Sequence, residues 1–162
     1  MFVRDALISD LPEILEIHNE AVANSTAIWD ETPTDIDERR QWFHDRHANG
    51  FPILVADIDG HVAGYATYGV WRAKSGYRYT VENSVYVHVD YHRRGVATAL
   101  MTALIERARA GHLHVIVASI ESSNTTSIAL HERFGFRVVA QMPEVGQKFG
   151  RWMDMTFMQL IL

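Results

Sequence analysis

One turn of the chain has the makings of an anion site. His92-Arg93-Arg94-Gly95-Val96-Ala97 separates a β-rich run, Ser84 to Val89, from an apolar run with helical spacing that begins at Val96. A helix starting there leaves backbone N–H groups without intrahelical partners, and the positive end of its dipole points the same way. Gly95 lets a ligand come close to the main chain, so the turn suits a phosphate or pyrophosphate. On these residues alone, a glycine that serves only the turn, with Arg93 and Arg94 before it solvated, fits equally well. The ten glycines form no Gly-x-Gly and no loop ending in Gly-Lys-Ser/Thr, so the dinucleotide and phosphate-loop fingerprints are absent.

Two further side chains invite chemistry. Glu82 lies within a β-rich run on its polar face, where glutamate is a poor strand former; a carboxylate there can hold an ammonium group and accept its proton, or simply be solvated. Arg72 follows Trp71 in a turn-rich segment reaching Gly76. Its guanidinium suits bidentate capture of a carboxylate, although an exposed arginine is ordinary in such a segment. His131, a lone helical histidine, reads on its own as a structural residue. His88 with His92 and His112 with His114 lack a third ligand at a recognisable spacing, so no metal is expected.

The elements that must position these residues follow from periodicity. Phe2 to Arg4 reads as a short strand. Asp10-Leu11-Pro12-Glu13 opens a helix with Leu11, Ile14, Leu15, Ala21 and Val22 on one face. Thr34 with Asp37 opens a second helix that buries Trp42 and Phe43, carries His44 and His47 on its polar face and stops at Gly50. Ile53 to Ala56 and Val62 to Val70 form a hairpin through Asp59-Gly60. In the strand Thr80 to Val89, the apolar Val81, Val85, Val87 and Val89 alternate with Glu82, Ser84, Tyr86 and His88. A helix from Val96 to Ala110 ends at Gly111, and a strand from Val115 to Ile120 follows. A helix capped by Ser123 or Asn124 runs to Phe134 with Gly135 as its stop; Phe136 to Ala140 and Met153 to Leu162 are the last strands. This order predicts an α/β (α+β) fold: a mixed central sheet of about six to seven strands flanked by about four helices.

Composition bounds the function. The 162 residues are 48% hydrophobic, which suits a single domain over 1–162. A net charge of -5 disfavours nucleic acid, including an RNA-binding role. Without cysteine there is no disulfide, thiolate metal site or thiol nucleophile, and a reducing cytoplasm is expected. Residues 1–10 lack a signal-peptide profile, and no apolar run approaches the length of a membrane span.

The segment His92 to Ala97 resembles the Gln/Arg-x-x-Gly-x-Gly/Ala motif with which GNAT enzymes hold the pyrophosphate of acetyl-CoA, with His92 departing at its first position. Downstream, Asn124, Ser127, Leu130, His131, Phe134, Gly135 and Phe136 are similar to the asparagine-to-Gly-Phe helix of the same superfamily. Ala27-Ile28-Trp29, Trp71-Arg72, Thr80-Val81-Glu82, Ile120-Glu121-Ser122 and the block Gln141 to Trp152 resemble the bacterial phosphinothricin and methionine sulfoximine N-acetyltransferases, over essentially the whole chain.

The resemblance implies direct acetyl transfer from acetyl-CoA to the primary amine of a small amino-acid-like substrate. By implication Val85, Tyr86 and Val87 meet the pantetheine and acetyl group, Arg93, Arg94, Gly95, Val96, Ala97 and Thr98 hold the pyrophosphate, and Asn124 contacts the cofactor. The substrate falls to Arg72, Ala73 and Lys74, with Glu82, Asn83 and Ser84 opposite. Glu82 is the expected proton acceptor, and His131 stands where many relatives carry a tyrosine that protonates the departing thiolate. A homodimer is implied, with Gln147 to Trp152 as a candidate contact. The rival readings are acetylation of a peptide N-terminus or polyamine, and a non-catalytic acyl-CoA-binding regulator.

Overall fold

Seven strands form one sheet in a computed structural model that describes residues 1–162. The elements in chain order are β1 (Phe2–Asp5), α1 (Leu11–Asn24), α2 (Ile36–Ala48), β2 (Ile53–Ile58), β3 (His61–Val70), β4 (Thr80–Val87), α3 (Val96–Ala110), β5 (Val115–Glu121), α4 (Thr125–Arg133), β6 (Arg137–Lys148) and β7 (Arg151–Ile161). The sheet order is β1-β2-β3-β4-β5-β7-β6. Every neighbouring pair is antiparallel except β4 and β5, whose parallel alignment requires the α3 crossover. The expected mixed sheet with four helices is the observed one.

Two cores hold the layers together. On one face, Leu100, Met101, Leu104 and Ala108 of α3 pack on Leu54, Ala66, Ile116, Met158 and Leu160, with Ile128 and Leu130 of α4 at the flank. Leu100 and Leu104 are fully buried, so truncating either to alanine should cost about 2–5 kcal/mol. On the other face, Leu11, Ile14 and Ile17 of α1 cover Ile53, Val55, Val62 and Tyr65, with Trp42 and Phe43 of α2 beside them. Leu15 is only half-buried; Ile17 takes its expected place.

Several boundaries differ from the sequence reading, each for a local reason. The cap of α2 is Asp35, whose carboxylate accepts from the N–H groups of Asp37 and Glu38, while the backbone of Thr34 is tied to Asn19 of α1. The fully buried side chain of α2 is Arg39; Trp42 and Phe43 are half-buried. β4 ends at Val87 because the N–H groups of Asp90 and Tyr91 turn back on His88, through its Nδ1 and its carbonyl, and fold Val89 into a 3-10 turn. β6 is far longer than Phe136 to Ala140 suggested, whereas β7 lies close to the expected Met153 to Leu162. They meet in a two-residue turn, Phe149-Gly150, with φ positive at both positions. Pro143 does not interrupt β6, because it sits on an edge strand at an irregularity between Met142 and Gly146.

Candidate active site

The parallel pair that centres the sheet is short. Its register joins Thr80 to Val115, Val81 to Ile116 and Glu82 to Val117, after which β4 continues to Val87 and β5 to Glu121 without a shared pair. The two strands part at Glu82 and open a wedge. His88 donates its N–H to Ala63 on β3, so alternation turns the N–H groups of Val85 and Val87 away from β3 and into the wedge.

The turn after β4 closes one end of this opening. Gly95 caps α3 with φ of 79° and without a side-chain hydrogen bond, and Arg93 before it also has positive φ. The first helical bond joins the Ala99 N–H to the Gly95 carbonyl, which leaves the N–H groups of Val96, Ala97 and Thr98 as the free donors of the helix start. A Cβ on Gly95 would meet nothing within 4 Å, so glycine is required there by the backbone angle. Val96 is buried and offers only its main chain, while Arg93 and Arg94 are exposed. His92, at the divergent first position, lies with Nε2 3.0 Å from the Val87 carbonyl and so braces the turn against β4. This arrangement can bind an anion and, through β4, an extended amide-bearing chain.

On the face under α1 and α2, β3 and β4 pair Tyr65 with Tyr86, Thr67 with Ser84 and Gly69 with Glu82. Glu82 is half-buried at the mouth of the wedge. His18 reaches this face with Nδ1 3.4 Å from the Tyr65 hydroxyl; burial first, and the Arg39 charge second, push its pKa down to about 4 against the opposing pull of Asp30. Arg39, 6% exposed, stacks 4.6 Å over Trp42, and burial holds its pKa below the ordinary arginine value.

The loop between α1 and α2 roofs this region. Lys148, 1% exposed, donates its amine to the carbonyls of Val22 at 2.6 Å, Ser25 at 2.8 Å and Ile28. Burial lowers its pKa, with Asp30 and Glu31 opposing. A Cβ on Gly146 would fall within the Trp29 ring, so this glycine lets the β6–β7 hairpin lie flat against the loop. Thr26 donates to the buried Glu121 carboxylate, which also accepts from Ser123.

The expected site residues do not all converge. Glu82 and Ser84 share the α1/α2 face, whereas Asn83 points to the opposite one, 8% exposed. There its Nδ2 lies 3.0 Å from Nε2 of His131 and 3.5 Å from the sulfur of Met101, while its Oδ1 is buried without a partner. His131 donates from Nδ1 to the Ser127 carbonyl at 2.8 Å and therefore accepts at Nε2; burial lowers its pKa. In this arrangement it has no free proton to give a departing thiolate. Arg72, Ala73 and Lys74 are exposed on the rim, with the Arg72 guanidinium 5.2 Å from the Trp71 ring. Asn124 caps α4 by accepting from the Ser127 N–H, so only its amide NH2 is left for a ligand. No three His, Cys, Asp or Glu side chains stand together as metal ligands.

Sequence reading missed Lys148, Arg39 and Arg46. Arg39 and Arg46 continue the Trp42/Phe43 stripe of α2 at helical spacing, a visible sign that two guanidiniums face inward.

Known proteins are similar to this chain in sequence and fold. An L-methionine sulfoximine/L-methionine sulfone acetyltransferase of Pseudomonas aeruginosa is 59% identical over 161 residues, covering 99% of this chain and 94% of that one. A solved Salmonella typhimurium acetyltransferase with its cofactor acetyl-CoA superposes with a TM-score of 0.98 at 49% identity, covering 100% of this chain and 94% of that chain. A ribosomal-protein-alanine N-acetyltransferase from Brucella melitensis superposes with a TM-score of 0.99 at 47% identity, covering 100% of both. Residues 3–157 match the acetyltransferase (GNAT) domain, and with its sheet parted between β4 and β5 above a bare helix start, the chain belongs to the GNAT family as an N-acetyltransferase.

Proposed function

We propose that this enzyme transfers the acetyl group of acetyl-CoA to the primary amine of a small amino-acid-like acceptor of the methionine sulfoximine, methionine sulfone or phosphinothricin type. The observation that carries the reading is that β4 and β5 part at Glu82, so one carboxylate stands at the mouth of the opening that Val85 and Val87 line with N–H groups.

The residues present fit acetyl-CoA. The N–H groups of Val96, Ala97 and Thr98, Gly95 and the arginines Arg93 and Arg94 suit its pyrophosphate, Val85, Tyr86 and Val87 its pantetheine, and the amide of Asn124 a further contact. When bound, it supplies an activated thioester. The acceptor amine, with a pKa of about 9 to 10, arrives mostly as ammonium. Glu82 holds it and takes its proton directly or through water, while the Val87 N–H steadies the negative charge that develops on the carbonyl oxygen. Arg72 and Lys74, with Ala73 between them, bind the acceptor's carboxylate from the rim, and Ser84 lines the floor beside Glu82. Asn83 and His131 support β4 from behind; we give His131 the task of orienting Asn83.

The exposed apolar residues Val138, Val139, Met142, Val145, Phe149 and Trp152 of the β6–β7 hairpin support a homodimer formed through this edge, and the lack of cysteine supports a reducing cytoplasm as its location. Sedimentation equilibrium tests the dimer.

The deciding experiment is a coenzyme A release assay across L-amino acids, methionine sulfoximine, methionine sulfone, phosphinothricin, polyamines and a peptide with an N-terminal alanine. Highest kcat/KM on the sulfoximine, sulfone or phosphinothricin supports the reading. Highest kcat/KM on the peptide or a polyamine overturns the acceptor class, and no turnover on any of them overturns the enzyme.

A further inference from the structure

The pairing of β3 with β4 sets Gly69 directly opposite Glu82, with both positions on the face that α1 and α2 cover. Gly69 is buried as the penultimate residue of β3, still paired with β4, where glycine is a poor strand former, and its φ does not lie in the left-handed region. A Cβ there would fall inside the guanidinium of Arg46, whose carbon stands 2.6 Å from that position. Opposed Cβ positions in an antiparallel pair lie about 4.5–5.5 Å apart. The Arg46 guanidinium therefore stands where a cross-strand neighbour of Glu82 would place its own side chain.

This guanidinium forms no ion pair within 4 Å, either with Glu82 or with another carboxylate. Its Nε is buried without a hydrogen bond, and the arginines that form ion pairs are Arg4, Arg40 and Arg107. Burial, and after it the Arg39 charge on α2, oppose its positive charge, while Glu82 on β4 is the carboxylate that favours it.

We propose that Arg46 is a positioning residue for Glu82: reaching from α2 into the gap at Gly69, its guanidinium holds the Glu82 side chain turned toward the mouth of the β4–β5 wedge. The inference rests on Glu82 being the group that receives the acceptor's ammonium. It also gives Gly69 a reason, since any side chain there would displace the guanidinium.

The test uses the intact enzyme with acetyl-CoA and the best acceptor from the screen. Arg46→Met should lower acceptor kcat/KM about tenfold or more, with the KM for acetyl-CoA and its thermal shift within about twofold of wild type. Arg46→Lys should recover most of the loss, and Gly69→Ala, which changes no charge, should match Arg46→Met. In a Glu82→Gln background, adding Arg46→Met should take away less than about twofold more, because its effect runs through Glu82. Should Arg46→Met not fold, Gly69→Ala alone and in the Glu82→Gln background makes the same comparison. A crippled Glu82→Gln enzyme in which the second substitution costs its full single-variant loss would overturn this inference alone. A Glu82→Gln enzyme with wild-type parameters would instead remove the proposed base, and this inference with it.

Discussion

The side-chain amide of Asn83 donates to Nε2 of His131 across 3.0 Å, and with Nδ1 committed to the Ser127 carbonyl this bond fixes the histidine as a neutral ring with its proton on Nδ1. The pair is enclosed by Met101 and by Phe136, whose ring meets the imidazole edge-on at 4.9 Å. Replacing one partner strands the other in the core. His131→Phe should lose about 1–3 kcal/mol of stability, and combining it with Asn83→Leu should restore part of that, because removing both buried polar groups costs less than removing one. With no free proton to donate, His131 should not govern the chemistry, and kcat of His131→Phe should fall by less than about tenfold. A loss of about 10² or more, in an enzyme still folded at the assay temperature, would return His131 to the role of acid.

His18 gives stability a pH dependence. Its folded pKa of about 4 lies below the ordinary 6.5, so as pH falls the unfolded chain takes up this proton first. Its contribution is therefore complete above pH 6.5 and is lost progressively between 6.5 and about 4. The shift allows at most about 3 kcal/mol, less whatever solvent reaches the ring. His131, shifted the same way by burial, adds to the trend. Urea unfolding at pH 7.5 and 4.5 measures it. His18→Gln should show a flatter dependence, and an equal slope in wild type and variant would remove His18 as its source.

The helix start at Gly95 is testable without an acceptor. Acetyl-CoA should raise the melting temperature of the free enzyme by mass action, since its anion site is already formed. Gly95→Glu places a Cβ-bearing residue at φ of 79° and a carboxylate among the free N–H groups. It should abolish the shift, and a full shift in that variant would move the pyrophosphate elsewhere.

Arg72 is exposed beside Trp71, and the carboxylate contact proposed for its guanidinium is one made equally in ground and transition states. Arg72→Ala should therefore raise acceptor KM about tenfold or more while kcat changes by less than about threefold. An unchanged KM on the best acceptor would assign the carboxylate to Lys74 or to another group.

How much of this was legible in the sequence divides along a physical line. Periodicity and caps located every element, because Gly50, Gly95 and Gly135 adopt the positive φ that marks a turn or helix end. The Asp59-Gly60 turn was legible for the same reason. Long-range polar contacts were not. Lys148 reaches across more than a hundred residues to cap the end of α1, and no local pattern announces that a lysine will be buried beneath three carbonyls. The resemblance groups Asn83 with Glu82 and Ser84 as substrate residues, although a strand sends neighbours to opposite faces. The same alternation, applied through Val81 and Val85, would have placed Asn83 in the core. The length of β6 was hidden by Pro143 and Gly146, which an edge strand tolerates and a central one does not.

Glu82→Gln tests the mechanism itself, because it keeps the shape and one accepting oxygen while deleting the charge and the capacity to take a proton. Acetyl-CoA binding should survive, since the N–H groups proposed to hold its pyrophosphate lie at the start of α3, beyond the turn at Gly95. If Glu82 removes the proton from the acceptor ammonium, turnover at neutral pH should fall by about 10² to 10⁴, the usual worth of a placed general base. Raising the pH should then recover part of the loss, because more of the amine arrives already neutral. If Glu82 only holds the ammonium, acceptor KM rises and kcat stays nearly intact. A pH series of kcat and KM on the best acceptor separates the two. Wild-type values of both parameters across that series would exclude Glu82 from catalysis and from acceptor binding alike, and an ordered water held by Ser84 or Tyr86 on the same face would become the next proton acceptor to test.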